Sequence, residues 1–250
     1  MKWADEYRVH YYYTDYNNIL KPGYIARYMQ ETAWNALKSW GPSPDYLREN
    51  NLAFILSKIG FRYYQEIRED DIIKVETWAI EPSRSVVFTR NYRIYKGGGV
   101  AAEATSAWAL MDMRERAILK PEALGDRFKG FDCEELGFAV QRRLKIPEGP
   151  AELREYRVKY ADIDSNCHMN NAAYIDLVSE CMYGEGEAPG AGLRKQVLEM
   201  GLNYNSEAVF GDVIAINKIA AKDGEREELY IAGEVGGRSC FEARAVIKVN

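Results

Sequence analysis

The 250-residue sequence has little of several things, and each shortage excludes a class of protein. No uncharged apolar run approaches the ~18 residues that a membrane-spanning helix needs. The four cysteines form no close pair and no CxxC, which argues against a zinc module or a disulfide-stapled secreted domain and suits reduced thiols in a cytoplasm. The formal charge of −5 is too small for a nucleic-acid binder or a disordered tail. Residues 1–6 contain no apolar stretch, so we expect no secretion signal.

Histidine is the scarcest residue that bears on chemistry. His10 and His168 are the only two, beside 18 tyrosines. His10 lies in a predicted strand with no acidic or amide cluster beside it, so we expect a packing or surface role. His168 lies in the densest polar cluster of the chain. A single such histidine, with cysteines that lack ligand spacing, predicts no metal site, and nothing in the sequence calls for a cofactor.

An internal repeat organises the chain. The segment YRVHY at 7–11 recurs as YRVKY at 156–160, an offset of 149 that also aligns Asp15 with Asp164, and Tyr24 matches Tyr174 at an offset of 150. Three further matches keep the same order: GFRYYQE at 60–66 with GLNYNSE at 201–207, DII at 71–73 with DVI at 212–214, and AEA at 102–104 with FEA at 241–243. Strands rich in Tyr, Val and Ile can look alike by chance, but the ordered matches favour two copies of a unit of roughly 110 residues.

Both copies have the same predicted order of elements. Apolar spacing over 22–40 predicts a helix that begins at Pro22 and ends before Gly41-Pro42, and a second helix is predicted over 171–183 with Asn170 as its N-cap. Alternation of apolar and polar residues predicts strands elsewhere. They lie near 6–13, 54–66, 72–80, 85–95 and 100–112 in the first copy, and near 156–161, 199–208, 212–221, 228–235 and 239–249 in the second.

One long helix followed by four strands with hairpin-like links favours an antiparallel sheet that covers the helix, an α+β hot-dog arrangement. Two such units predict a tandem, or double, hot-dog that packs as a pseudo-dimer. We expect an N-terminal unit over 1–130, a connector over 131–152 and a C-terminal unit over 153–250. The charged, proline-containing stretch 114–155 is expected to connect the units rather than to contribute to a core.

The polar loop over 162–171 directly precedes the second helix and has three interpretations. A calcium loop would explain its D-x-D-x-N start, but Cys167 stands where glycine is needed and Ala173 where the bidentate glutamate belongs. A loop that only caps the helix would also collect Asp, Asn and Ser. The third interpretation is catalytic.

In the catalytic interpretation, an extended loop aims Asp164, Asn166 and His168 at one small volume. The helix start presents unpaired N–H groups to that volume, which suits a developing oxyanion. At the offset of 149, the first copy keeps the acid and the amide but has Ile19 in place of the histidine. A duplicated protein with one working site predicts this difference.

Several motifs together resemble the acyl-[acyl carrier protein] thioesterases of the double hot-dog type, from about residue 5 to 250. The second half carries a D-x-N-x-H-x-N-N signature at 164–171, and Glu207 follows roughly forty residues later. The first half contributes QETA at 30–33, VETW at 75–78 and ATSAW at 104–108. The family often has cysteine directly after the glutamate. Here the residue is Ala208, so we disfavour a thiol nucleophile.

The resemblance implies hydrolysis of a fatty acyl thioester carried by acyl carrier protein, and it implies that Asp164, Asn166, His168 and Glu207 are catalytic. Glu207, its pKa raised by a largely apolar pocket, is expected to act as general base on a water molecule. His168 would polarise the water or protonate the departing thiolate, and the choice of base between the two stays open. Asn166 would orient the water or the carbonyl, and Asp164 would fix the loop.

The first copy is expected to hold the acyl chain between the helix over 22–40 and its sheet, although its aromatic residues are individually better explained as core. A basic patch at Arg142, Arg143 and Lys145 is a candidate contact for the acidic carrier, and a solvated charge run explains it equally well. The chain length of the acyl group and the oligomeric state, a homodimer included, stay open.

Three other functions are weighed against acyl-carrier-protein thioester hydrolysis. An acyl-CoA thioesterase is hard to distinguish by sequence. An (R)-specific enoyl hydratase of the hot-dog class needs a D-x-N-P-x-H loop, and this chain has no proline there. A silent acyl-binding protein has no use for buried titratable groups.

Overall fold

The computed structural model describes residues 1–82, 86–140, 144–183 and 194–249. Within these ranges the helices are α1 (Pro22–Trp40), α2 (Pro44–Glu49) and α3 (Asn171–Glu180). The strands of the first half are β1 (Trp3–Arg8), β2 (Leu52–Tyr63), β3 (Ile72–Ile80), β4 (Val87–Lys96), β5 (Gly99–Asp112), β6 (Ala117–Leu119) and β7 (Phe131–Asp132). Those of the second half are β8 (Glu152–Arg157), β9 (Lys195–Tyr204), β10 (Val213–Asp223), β11 (Arg226–Val235) and β12 (Arg238–Val249). None of the described helices is long and apolar enough to cross a membrane.

The strand order of the sheet is palindromic: equivalent strands of the two halves lie at equal distances from its centre. Its main path is β1-β3-β4-β5-β2-β9-β12-β11-β10-β8, and neighbours along this path are antiparallel. At the centre β2 pairs with β9, and Gly60 lies opposite Gly201. These two glycines are equivalent positions of the repeat, so the two halves meet about a local pseudo-twofold axis. The predicted double hot-dog of α+β class is confirmed.

The two long helices begin and end where local chemistry directs. Pro22 occupies the first turn of α1, where its missing N–H costs nothing, and Gly41 follows the last residue. The Asn170 side chain caps α3 by accepting a hydrogen bond from the Ala172 N–H at 2.8 Å. The predicted bounds of α1 are confirmed, while α3 ends at Glu180, three residues earlier than predicted.

A close contact joins α1 to α3. A Cβ added to Gly23 would lie 1.8 Å from Asp176 Oδ1, so a larger residue here would displace the Asp176 carboxylate. Arg27 Nη2 donates to Asp176 Oδ2 at 2.7 Å. Side chains of both halves then share one buried cluster, which includes Met29 and Phe61 from the first half and Ile175 and Leu202 from the second.

The helix contact also corrects one repeat match. Lys21 is the N-cap of α1 and Asn170 is the N-cap of α3, so the two helices align at an offset of 149. At this offset the residue that corresponds to Tyr174 is Ile25. The match of Tyr24 with Tyr174 at an offset of 150 was therefore wrong by one residue.

The first strand of each copy ends earlier than predicted. After β1, the Tyr13 N–H donates to the His10 carbonyl at 3.0 Å and the Thr14 N–H to the Tyr11 carbonyl at 3.1 Å. These are the i to i+3 bonds of a 3₁₀ turn, which spans Tyr11–Tyr13. The same turn, Tyr160–Asp162, follows β8. Alternation of apolar residues concealed a turn whose side chains are partly exposed.

The stretch between the copies is more than a connector. Its β6 pairs with β5, its β7 pairs with β3, and Leu124 and Leu144 are buried to 1% and 5% exposure. The Trp78 indole donates to the Glu134 carbonyl at 2.6 Å. The expectation that this stretch stays outside the core was wrong, because Leu124 forms a buried cluster with Phe88 and Leu110 of the first half.

Candidate active site

The loop before α3 is a tight turn, which corrects the expected extended shape. Ile163 and Met169 form an isolated antiparallel bridge that closes the loop. Inside it, the Asp164 N–H donates to the His168 carbonyl at 3.1 Å and the Cys167 N–H to the Asp164 carbonyl at 3.0 Å. Cys167 at the turn has a φ of 64°. Simple alternation therefore does not decide where the loop side chains point.

The Asp164 carboxylate organises this loop. It accepts hydrogen bonds from the Asn166 N–H at 2.8 Å and from Asn170 Nδ2 at 3.2 Å, so it links the turn to the N-cap of α3. His168 Nδ1 lies 4.0 Å from Asp164 Oδ1, and both side chains are about one-fifth exposed, at 22% and 21%. Asn166 itself is exposed.

The N-terminus of α3 offers fewer free donors than expected. The Ala172 N–H is used by the Asn170 side chain, and the Ala173 N–H donates to the Asn170 carbonyl at 2.9 Å. Within the described ranges, Asn171 N–H has no acceptor, and it is the donor left for a developing oxyanion.

Glu207 lies on the segment that runs beside the loop. The Met169 N–H donates to the Ala208 carbonyl at 2.8 Å, which holds the two segments together. Glu207 is exposed, so the residues that the structure describes do not form the apolar pocket expected around it. Across the part of the chain that the structure describes, its carboxylate makes no hydrogen bond or ion pair. It is therefore available to a water molecule or substrate.

Two residues that sequence reasoning missed support the Glu207 segment. The Tyr174 hydroxyl accepts a hydrogen bond from the Ala208 N–H at 3.1 Å, and burial raises the pKa of Tyr174 well above its usual range, so it stays neutral. Arg238 Nη2 donates to the Glu207 carbonyl at 2.9 Å. Tyr174 lies three residues after the signature at 164–171, but no sequence pattern indicates that its hydroxyl reaches a segment 34 residues away.

The corresponding loop of the first half has the same kind of backbone hydrogen bonds but no histidine. The Asp15 carboxylate accepts from the Asn17 N–H at 2.8 Å, and the Asp15 N–H donates to the Ile19 carbonyl at 2.8 Å. An isoleucine therefore stands in the position of His168. The equivalent of Glu207 is Glu66, whose carboxylate is bound by Arg68 at 2.6 Å and by Arg194.

Two sequence-derived expectations concern other parts of the molecule. Arg142 and Arg143 of the candidate basic patch lie outside the described residues, and Lys145 is exposed. In the expected acyl slot, Ile25 and Met29 of α1 belong to the buried core cluster, at 3% exposure or less. A slot at this place stays a prediction.

Comparisons with known proteins identify the family. The model of the acyl-ACP thioesterase N-terminal domain matches residues 1–122, and the model of the acyl-ACP thioesterase C-terminal domain matches residues 147–243. The chain belongs to the acyl-ACP thioesterase family.

Curated relatives of this family member include plant enzymes. The chain is 28% identical over 199 residues to oleoyl-acyl carrier protein thioesterase 1, chloroplastic, of Arabidopsis thaliana, with 72% of this chain and 54% of the relative aligned. It is 26% identical over 234 residues to the oleoyl-acyl carrier protein thioesterase, chloroplastic, of Coriandrum sativum, with 86% and 61% aligned. The chain thus spans between about half and three-fifths of the length of these relatives.

Solved structures support the fold of this family member over its whole length. An acyl-ACP thioesterase from Bacteroides thetaiotaomicron superposes with a TM-score of 0.82 at 18% identity, covering 99% of this chain and 98% of that one. The 12:0-ACP thioesterase from Umbellularia californica superposes with a TM-score of 0.81 at 17% identity, covering 100% and 94%.

Proposed function

We propose that this chain hydrolyses the thioester of a fatty acyl-[acyl carrier protein] and releases the free fatty acid. The observation that carries the proposal is the difference between two equivalent loops. Both have the aspartate and its hydrogen bonds, but only the second has His168 beside the aspartate and a glutamate, Glu207, whose carboxylate is unpaired among the described residues. Membership of the acyl-ACP thioesterase family supports the same reaction.

In the proposed mechanism a water molecule attacks the thioester carbonyl. Glu207 accepts a proton from that water, and His168 in its protonated form donates a proton to the departing thiolate, so the C–S bond breaks as the new C–O bond forms. Asp164, whose Oδ1 lies 4.0 Å from His168 Nδ1, fixes the loop that carries the imidazole. Asn166, exposed at the turn, orients the water or the carbonyl.

The charge that develops on the carbonyl oxygen needs a donor. Asn171 N–H, at the positive end of α3, is the one we assign to it. General acid–base catalysis contributes ~10²–10⁴-fold, so orientation of the substrate and stabilisation of the oxyanion supply the remainder.

The proposal extends to the partner, the location and the division of the chain. The carrier is acyl carrier protein rather than coenzyme A, in line with the names of the plant relatives. A cytoplasm fits four cysteines that are all free thiols, two of them exposed. The chain is thus divided into a non-catalytic unit over 1–130, a linking segment over 131–152 that also packs on the rest of the fold, and a catalytic unit over 153–250.

The test is thiol release from dodecanoyl and longer thioesters of acyl carrier protein and of coenzyme A. We expect faster release from the carrier protein, and a loss of ~10²-fold or more for His168→Ala and Glu207→Gln. Glu66→Gln, at the equivalent position of the first half, is the matched control and should keep the wild-type rate. Folded His168→Ala and Glu207→Gln proteins that retain most of the rate, or equal rates on both carriers, would contradict the proposal.

A further inference from the structure

Two segments of the second half, 157–159 and 209–212, meet on the surface beside the candidate active site. The Val158 N–H donates to the Asp212 carbonyl at 2.8 Å and the Gly211 N–H to the Val158 carbonyl at 3.0 Å. Two apolar side chains are exposed where the segments join, Val209 at 46% and Phe210 at 66%. Val209 and Phe210 are adjacent in the chain and follow Glu207 by two and three residues. Exposed apolar side chains that cluster within a polar rim mark an interaction site.

Three cations surround these apolar side chains. Arg157 Nη1 donates to the Gly211 carbonyl at 3.1 Å, Arg238 Nη2 donates to the Glu207 carbonyl at 2.9 Å, and Lys159 follows Val158 in the chain. All three residues are exposed. Over the described ranges, none of them forms an ion pair with a carboxylate. We call Arg157, Lys159, Val209, Phe210 and Arg238 the Phe210 surface.

The equivalent surface of the first half has a different charge. Arg8 stands in the position of Arg157, but it is neutralised by Asp70 at 2.8 Å. Charged residues, Arg68 and Glu69, replace Val209 and Phe210, and Gly99 replaces Arg238. Backbone hydrogen bonds align these positions, since Tyr64 N–H reaches the Ala101 carbonyl just as Asn205 N–H reaches the Cys240 carbonyl. Acids and cations thus balance in the first half. In the second half the Asp212 carboxylate accepts a hydrogen bond from the Val209 N–H at 2.9 Å and Glu207 lies nearby, but among the described residues neither is ion-paired with the three cations.

We propose that the Phe210 surface docks the acidic carrier protein whose acyl thioester the site cleaves, an inference that rests on the proposed function. The chain carries a net charge of −5, so a cationic surface free of ion pairs is a local exception that attracts an acidic partner. Phe210 provides an aromatic anchor of the type enriched at protein interfaces. Because Arg238 is bonded to the Glu207 backbone, a partner held here is next to the catalytic segment.

A protein partner fits this surface better than a lipid bilayer. Stable attachment to a membrane needs a long apolar helix face or a lipid chain. The Phe210 surface presents two apolar side chains on a turn between strands, which suits a contact with one small folded partner.

The test compares Arg157→Glu/Lys159→Glu with the matched control Arg8→Glu/His10→Glu of the first half. Substrates are dodecanoyl-[acyl carrier protein] and dodecanoyl-N-acetylcysteamine, which lacks the protein. We expect the KM for the carrier substrate to rise by ~10-fold or more in the first variant, with kcat and the small-substrate rate unchanged and a weaker dependence on salt. Phe210→Ser should raise the same KM by ~5-fold without altering the salt dependence.

The outcomes separate the two proposals. A wild-type protein that cleaves neither substrate contradicts the proposed function. A wild-type protein that cleaves the carrier substrate, with an unchanged KM in both Phe210-surface variants or an equal rise in the first-half control, overturns the docking surface alone. A membrane role would give a different pattern. The wild-type protein would sediment with anionic phospholipid vesicles, Phe210→Ser would not, and the KM for the carrier substrate would be unchanged in the variants. That result would assign the surface to a membrane instead.

Discussion

The loop before α1 and the loop before α3 close through the same set of hydrogen bonds. In each, an aspartate N–H donates to the carbonyl four residues on, at 2.8 Å for Asp15 and 3.1 Å for Asp164, and the aspartate carboxylate accepts the N–H two residues on. In each, the turn residue has a left-handed φ, 60° at Asn18 and 64° at Cys167. The aspartate therefore holds the fold of both loops, and within the loop the histidine of the second half, His168, stands against Ile19 of the first.

The equivalent glutamates of the two halves, Glu66 and Glu207, also differ in their surroundings. Glu66 is bound by Arg68 and Arg194, whereas Glu207, in the same position of the second half, has no cationic partner among the described residues. The oxygens of a carboxylate held by two guanidinium groups are occupied, so they are not available to a water molecule or a substrate. The two halves thus differ in the surroundings of the glutamate as well as in the histidine.

Duplication within one chain also allowed the helix contact to become asymmetric. Arg27 and Asp176 occupy equivalent positions of α1 and α3 and bind each other at 2.7 Å. In a dimer of identical chains, the two equivalent positions would carry the same residue, and a like-charged pair would repel.

The largest expected effect is a difference in turnover between variants of the two aspartates. Asp15→Ala and Asp164→Ala each remove the carboxylate that holds a loop, so each should lower the free energy of unfolding by about 1–2 kcal/mol. Only Asp164→Ala should also reduce turnover, by ~10²-fold, because it releases His168. Urea unfolding and thiol release measure the two quantities. Equal turnover in the two variants would show that the halves are not functionally distinct.

A smaller effect tests the helix contact. Gly23→Ala places a Cβ against Asp176, and we expect a loss of about 1–3 kcal/mol in the free energy of unfolding. Gly137→Ala is the control, since a Cβ there meets nothing within 4 Å. Thermal unfolding of both variants decides the matter. A Gly23→Ala protein as stable as the control would mean that α1 and α3 do not approach as described.

The smallest expected effect comes from exchanging the turn residues of the two loops. Cys167→Asn places the first half's residue at a left-handed φ, where asparagine is better tolerated than cysteine, and should raise the free energy of unfolding by about 0.5 kcal/mol. Asn18→Cys should lower it by a similar amount. Turnover should be unchanged in Cys167→Asn, because the proposed mechanism uses no thiol. A large loss of turnover in a stable Cys167→Asn protein would restore a role for that cysteine.

Sequence reasoning predicted the periodic elements best. The bounds of α1 and β3 match their predicted ranges, since each has an uninterrupted apolar pattern between clear stop signals. It failed at Tyr11–Tyr13 and at the Asp164 loop, where side-chain alternation coincides with turns closed by local hydrogen bonds. The Asn170 cap was predictable because it needs only neighbouring residues. The Tyr174 contact with Ala208 was not, because it depends on how two distant segments pack.

The order of residues alone determined the duplication, the helix and strand content, and the presence of one histidine-bearing loop out of two. Those features depend on local spacing and on the comparison of one half with the other. Tertiary structure alone decided that Glu207 is exposed while Glu66 is bound by arginines, that three cations meet beside Phe210, and that α1 touches α3 at a glycine. Each of these depends on which surfaces come into contact after the chain folds, and no short-range pattern in a sequence records that.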